Sequence, residues 1–295
     1  MKKSISVFLM IFLFAGMVYA DRGSVPFIPG VKIYEPTQDA MIAWNGEEEI
    51  LLLSTELKAD RKVKVLEVIP FMSRPEVKEG DKYTFEKASR FLQRNLIFTS
   101  FMNFSRDQMN SRTRTAAKVV DHKQIGAHDI SVIELLSSDG FFDWVDDYLK
   151  KQGSDTPGIT SNLRKVIKEY IRDGFTYFVF DVIELNDSFK KVEPIQYRFR
   201  TDRLYYPIKI SSTDTGETTM SLIILTHKLL TNFPEISFDR VKLVNKSADI
   251  GFNEVRDINK DMATLFEKYK KQQLKMRVWT IKGRLEEFTE DLIAY

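Results

Sequence analysis

The chain has 295 residues, no cysteine, and 44 Lys plus Arg against 42 Asp plus Glu. Without cysteine there is no disulfide framework, no thiol nucleophile and no lipid-modified N-terminal Cys. Lys2 and Lys3 account for the whole positive excess, so the rest is formally neutral and lacks the basic surplus on which nucleic-acid affinity depends.

The first twenty residues are ordered like a secretory leader: a Lys2-Lys3 start, an apolar stretch over 5–18, and Val18-Tyr19-Ala20 with small residues at the −3 and −1 positions of a cleavage site. About fourteen apolar residues are too few to cross a bilayer, which favours cleavage over anchoring. The expected mature chain begins near Asp21 and is soluble in the periplasm or the medium, with no membrane span after cleavage. Residues 21–295 suffice for one large domain, with a β-rich part at 21–75 and an α+β part at 76–295.

Residues 31–34 alternate as a strand. Residues 41–44 and 47–53 flank Asn45-Gly46, a strong signal for a two-residue hairpin. A strand over 63–69 should stop at Pro70, and a helix is expected over 84–97. Residues 103–118 are polar and read as a loop or mobile helix. A strand over 130–136 precedes a helix capped by Ser138-Asp139, in which Phe141, Trp144, Val145, Tyr148 and Leu149 share one face. A second helix places Leu163, Val166, Ile167, Tyr170 and Ile171 inward and ends at Gly174. Residues 175–185 are so continuously apolar that they suit a central strand buried on both faces. A meander of 195–200, 204–211 and 218–227 should follow, then a helix over 252–272, a strand over 276–281 and a final helical turn or two over 285–292.

These segments also carry a resemblance. "IGAHDISVIELLSSDGFFDWVDDYLKKQG", "DGFTYFVFDVIEL", "EPTQDAMIAWNGEEEILLLST" and "FRTDRLYYPIKI" together resemble the exported bacterial family called domain of unknown function 2330. The resemblance implies export and an overall architecture, and supplies no mechanism. Many members carry a Cys-rich segment just after the leader; here Asp21-Arg22-Gly23 stands there, so no role resting on those cysteines transfers.

Glu47-Glu48-Glu49 is the most conspicuous acidic cluster. A two-residue turn would set Trp44 opposite Glu47 and Ile42 opposite Glu49, sending Glu47 and Glu49 to one face and Glu48 to the other. Three carboxylates on two faces do not converge on one ion, and the cluster reads as a wet hairpin tip. A metal alternative uses His122, His128 and Asp129, with His227 reachable only through the fold. Asp257-Ile258-Asn259-Lys260-Asp261 imitates the start of a calcium loop, but Met262 and Lys268 stand where Gly and a bidentate Glu are required. A catalytic alternative uses Asp181 with Glu134 and Glu184, as two carboxylates facing across a glycan cleft.

No nucleophile elbow, P-loop or dinucleotide fingerprint occurs, so no cofactor is expected. The expected fold class is α+β, a twisted, mainly antiparallel sheet packed by amphipathic helices. The expected role is non-catalytic, an envelope or secreted protein that binds a protein or glycan partner with aromatic groups such as Trp44, Tyr205 and Tyr206. The alternative is a secreted hydrolase using paired carboxylates.

Overall fold

The computed structural model describes residues 23–34, 37–95, 117–230 and 240–295. The leader at 1–20 and nearly all of the polar stretch at 103–118 lie outside the described residues. In chain order the strands and helices are β1 (Val25–Pro26), β2 (Ile33–Tyr34), β3 (Thr37–Trp44), β4 (Glu48–Ala59), β5 (Val63–Phe71), β6 (Glu76–Glu79), α1 (Thr84–Asn95), β7 (Ala117–Ile125) and β8 (His128–Leu135). Then come α2 (Phe141–Lys151), α3 (Ser161–Arg172), β9 (Tyr177–Leu185), β10 (Lys190–Lys191), β11 (Ile195–Arg200), β12 (Leu204–Tyr206), β13 (Glu217–Thr226), β14 (Val241–Ile250), α4 (Phe252–Ile258), α5 (Lys260–Thr264), β15 (Leu274–Arg284) and β16 (Leu292–Ala294). Among the described residues no helix is long and apolar enough to cross a membrane.

Two sheets carry the fold, with a small β12–β16 ribbon at one end. The five-stranded sheet runs β1-β5-β9-β8-β7, and the nine-stranded sheet follows the path β14-β15-β13-β3-β4-β11-β6, with β2 and β10 added on β4. Pairing is antiparallel except between β13 and β3, which confirms the α+β, mainly antiparallel class. The expected meander is corrected here. β11 pairs with β4 and β6, and β13 lies between β3 and β15, because the chain crosses over between them instead of folding back strand by strand.

Alternation along each strand sets the layers. On β3, Ala40, Ile42 and Trp44 join the core between the sheets, while Met41 and Ala43 join the core under α1, α4 and α5. Phe71 of β5 meets Tyr197 and Phe199 of β11 with ring centres 5.4 and 5.0 Å apart, which closes the two sheets face to face. The outer face of the five-stranded sheet is covered by α2 and α3; Phe141 and Tyr148 of α2 lie 5.4 Å from Phe178 and Phe180 respectively. β9 is therefore buried on both faces, as its apolar run required.

Several local expectations shift. β5 continues through Pro70 to Phe71. Gly140, with φ 75°, precedes α2 in place of a Ser138-Asp139 cap. Residues 209–213 coil into a 3₁₀ turn, and the helix expected over 252–272 breaks at Asn259 (φ −152°). The Asn259 side chain accepts a hydrogen bond from Met262 N and donates one to Thr84 Oγ1, both at 3.0 Å. A short polar side chain that serves the backbone this way starts a new helix more readily than it continues the old one.

The β3–β4 hairpin is the most consequential correction. Its central residues are Gly46 and Glu47, not Asn45 and Gly46, and Trp44 pairs with Glu49. Asn45 Oδ1 accepts from both Glu47 N and Glu48 N at 2.9 Å, and Nδ2 donates to Leu265 O at 2.8 Å. Gly46 supplies the positive φ (98°) that the turn needs. A register two residues further on preserves facing, so Glu48 turns to Arg198 (2.6 Å) and Glu49 turns inward beside Trp44. Only Glu47, paired with Lys268, remains at a wet tip. Glu49 is 0% exposed. Asn45→Ala removes three hydrogen bonds from a buried position and should cost about 2 kcal/mol, read as a lower urea midpoint with unchanged m-value.

Candidate functional site

A cavity of about 150 Å³ lies where the two sheets end, between the C-terminal end of α3, the end of β11 and the β12–β16 ribbon. A larger hollow of about 540 Å³ beside α4 is an open depression lined by such side chains as Arg256, Glu267, Lys270 and Lys271. Those four are all exposed, whereas the smaller cavity is backed by buried side chains, Tyr170, Phe175, Tyr205, Lys209 and Asp291 among them.

Its wall is a run of rings. Tyr170 and Phe175 have centres 4.8 Å apart, Phe175 and Tyr205 5.7 Å, and Phe199 and Tyr205 6.2 Å. Tyr170 is the last inward residue of α3, whose start is fixed by Thr160 Oγ1 accepting from Leu163 N. Tyr205 sits in β12 opposite Ile293 of β16, so both point to the same side of the ribbon. Asp291 shares that side by alternation.

Asp291 is 6% exposed. Its Oδ1 accepts from Tyr170 Oη at 2.7 Å and from Lys209 N at 2.9 Å. Its Oδ2 makes no hydrogen bond among the described residues. Burial pushes the Asp291 carboxyl up to about 7, against the Tyr170 and Lys209 N–H bonds and the Lys209 charge, which all favour the anion. Burial also raises the hydroxyls of Tyr170 and Tyr205 well above the usual tyrosine range. The Lys209 ammonium lies 5.2 Å from the centre of the Tyr170 ring and is held by Glu169 (3.2 Å) and Asp173 (3.7 Å). It is an internal counter-charge for the rim.

Behind Tyr205 stands the hairpin of the acidic cluster. Glu49 Oε2 accepts from Tyr205 N at 2.8 Å, Trp44 Nε1 donates to Thr201 O at 3.2 Å, and Tyr205 Oη donates to Pro70 O at 3.1 Å. Burial holds Glu49 well above the usual carboxylate range, against that one backbone bond. Tyr205 is thus clamped from two strands, and its ring lines the cavity.

Of the residues singled out from sequence, Tyr205 lines this cavity, while the candidate catalytic and metal-ligating side chains lie elsewhere. Asp181 and His128 do meet, with Asp181 Oδ2 and His128 Nδ1 2.6 Å apart, buried between the sheets. His128 Nε2 faces Glu193 O at 3.0 Å. A carbonyl only accepts and so does a carboxylate, so the ring is fixed by an acceptor at each nitrogen. Glu193 Oε2 in turn accepts from Ala127 N at 3.2 Å. Gly126 turns that β7–β8 hairpin with φ 56°; a Cβ there would come within 2.1 Å of the Glu193 carboxylate.

Glu134 lies on β8 beside Lys118 and Tyr177, each at 3.3 Å. Glu184 is exposed with Lys62 at 2.9 Å, on the opposite face of β9 from Asp181. These three carboxylates do not converge. His122 pairs with Asp129 at 2.6 Å on the α2 face of the same hairpin, while His128 points to the other face. Among the described residues no three His, Asp or Glu side chains are grouped as metal ligands. His227 stacks on Tyr269 at 4.5 Å near Trp44, and burial lowers its basicity.

Asp291, Lys209 and Glu49 were not read as site residues from sequence. For Tyr170 the signal was present: a tyrosine on an apolar helix face needs a partner for its hydroxyl. For Asp291 it was the alternation Asp291, Ile293, Tyr295, hidden by reading residues 285–292 as helical.

No curated protein matches the chain. Among solved structures it is similar to the crystal structure of baculovirus P35, at 8% identity and a TM-score of 0.40, over 90% of this chain and 97% of that one. A likeness this remote carries no argument. The family model described as "Uncharacterized protein conserved in bacteria (DUF2330)" matches residues 23–271. With most of its length so matched, from the first described strand to beyond α5, the chain belongs to that uncharacterised bacterial family.

Proposed function

We propose that the chain is an exported, soluble, non-catalytic binding protein of the bacterial envelope or its surroundings, and that the Asp291 cavity is its binding site. The observation that carries the reading is the second oxygen of Asp291: a nearly buried carboxyl, fixed through its other oxygen, aimed into an aromatic-walled space with nothing bonded to it. A carboxylate oxygen with no bonded partner, beside the rings of Tyr170, Phe175, Phe199 and Tyr205, is a polar group available to a ligand in a concave site. Its volume suits a small molecule better than the protein or glycan partner expected from sequence. Export rests on the leader pattern of residues 1–20.

Two measurements test this. Thermal unfolding of the mature protein should be recorded with millimolar amines, amino acids, small carboxylic acids and monosaccharides. At least one should raise the midpoint by several degrees, and the shift should vanish in Ile293→Trp, which fills the cavity; no shift with any compound would overturn the binding reading. Expressed with its own leader in a bacterial host, the protein should be recovered from the periplasm or medium with an N-terminus near Asp21. Full-length protein retained in the cytoplasm would overturn export.

A further inference from the structure

We propose that the cavity takes a small organic cation, its ammonium group seated between Asp291 Oδ2 and the faces of Tyr170, Phe175 and Tyr205. This rests on the binding-protein reading and goes further by naming the ligand class. Three observations converge on it.

The first is the carboxyl itself. Asp291 is more than nine-tenths buried and bonded through Oδ1 alone. An incoming cation would complete its contacts and offset the cost of keeping a carboxylate out of water. The second is the wall. Ring faces attract cations electrostatically, most strongly where water is excluded. The structure already shows one cation at this wall, the Lys209 ammonium 5.2 Å from the Tyr170 ring centre. Glu169 and Asp173 hold it there, on the α3 side of the ring.

The third is which charged groups of the lining are already paired. The charged groups that line the cavity are Asp173, Glu290 and Asp291 with Arg200, Arg203 and Lys209. Of the cations near it, Lys209 is engaged as described and Arg203 lies 3.1 Å from Asp202. Arg200, at the exposed end of β11, also lines the cavity. Of the two buried charges in the lining, Lys209 is paired with Glu169 and Asp173, so Asp291 is the one that keeps an oxygen open to a ligand. The volume of about 150 Å³ sets the size, since a cavity of this order holds a benzene-sized molecule. Choline fits that limit, and a longer diamine or a peptide does not.

The test is calorimetric titration of the mature protein at pH 8 with choline and with 3,3-dimethylbutan-1-ol, the uncharged molecule of the same shape. Choline is expected to bind at least tenfold more tightly. Asp291→Asn, which keeps an acceptor for Tyr170 and Lys209 N, should lower choline to the level of the alcohol and leave the alcohol unchanged. Ile293→Trp should abolish both. Equal affinity for the two molecules, or choline binding unaltered by Asp291→Asn, overturns the cation assignment and leaves the cavity as a binding site. Binding of a sugar or a carboxylic acid with no response to choline does the same. If no compound binds and Ile293→Trp changes nothing, the assignment and the binding reading fall together. The comparison of the two isosteres needs no variant, so it stands even if Asp291→Asn does not fold.

Discussion

Asp291→Asn is expected to flatten the pH dependence of stability between about pH 4 and 7. The folded-state value for Asp291 is raised to about 7 by burial, whereas the unfolded chain titrates in the ordinary aspartate range. Between those two values the native state binds more protons than the unfolded state. Stability from this group is therefore complete below the unfolded value, falls as pH rises through the window, and levels off above about 7. The fall amounts to roughly 4 kcal/mol. Asparagine has no charge to lose, keeps an acceptor for Tyr170 and Lys209 N, and places its amide in the cavity. The difference in unfolding free energy between variant and parent should thus move in favour of the variant by roughly 4 kcal/mol from pH 4 to pH 8. Taking the difference cancels the titrating groups that do not interact with Asp291. Urea denaturation at four or five pH values measures it; parallel pH profiles for the two proteins would show that Asp291 is not held in a shifted state.

The second large effect is expected between the sheets. Asp181→Ala leaves His128 Nδ1 facing no acceptor in a site where the pair is 2.6 Å apart and essentially unexposed. Removing one partner of such a buried pair costs about 3–5 kcal/mol. Asp181→Asn retains a carbonyl acceptor and should cost clearly less, about 1–2 kcal/mol. The ordering separates the hydrogen-bonded pair from simple loss of volume, since Asn and Asp are nearly the same size. If the two variants lose the same stability, or if Asp181→Ala loses less than about 1 kcal/mol, the pair is not what pins β8 and β9 against the Glu193 loop. The expected ordering bears on function too: Asp181, the carboxylate that invited a catalytic reading, is engaged in holding His128 against Glu193.

The legibility of the chain differs sharply from place to place. The amphipathic spacing of α2 and α3 and the apolar run of β9 identified their buried faces correctly, because those patterns are set by the period of one helix or strand and need no partner to be read. The broken helix at Asn259 was not visible that way: the same residues keep helical spacing on both sides of the break, and only Thr84, 175 residues away in sequence, completes the cap. Crossed connections between β11, β13 and β3 were likewise invisible, since a strand's pattern records which face is covered and not which strand lies beside it.

The acidic cluster shows the division most clearly. Alternation alone assigned Glu48 to one face and Glu49 to the other, and a two-residue error in register left that assignment intact. Whether the inward face was wet or dry had no local signal, because an exposed hairpin end and a covered one carry the same alternation. The cover comes from Thr201 and from Tyr205, whose ribbon is completed by β16, and it turns Glu49 from a wet tip residue into a buried support of the cavity. Asp291 follows the same logic. Its side of the strand is inherent in the order Asp291, Ile293, Tyr295, but its burial, its raised protonation and its one unbonded oxygen exist only once α3, β12 and the Lys209 turn close around it.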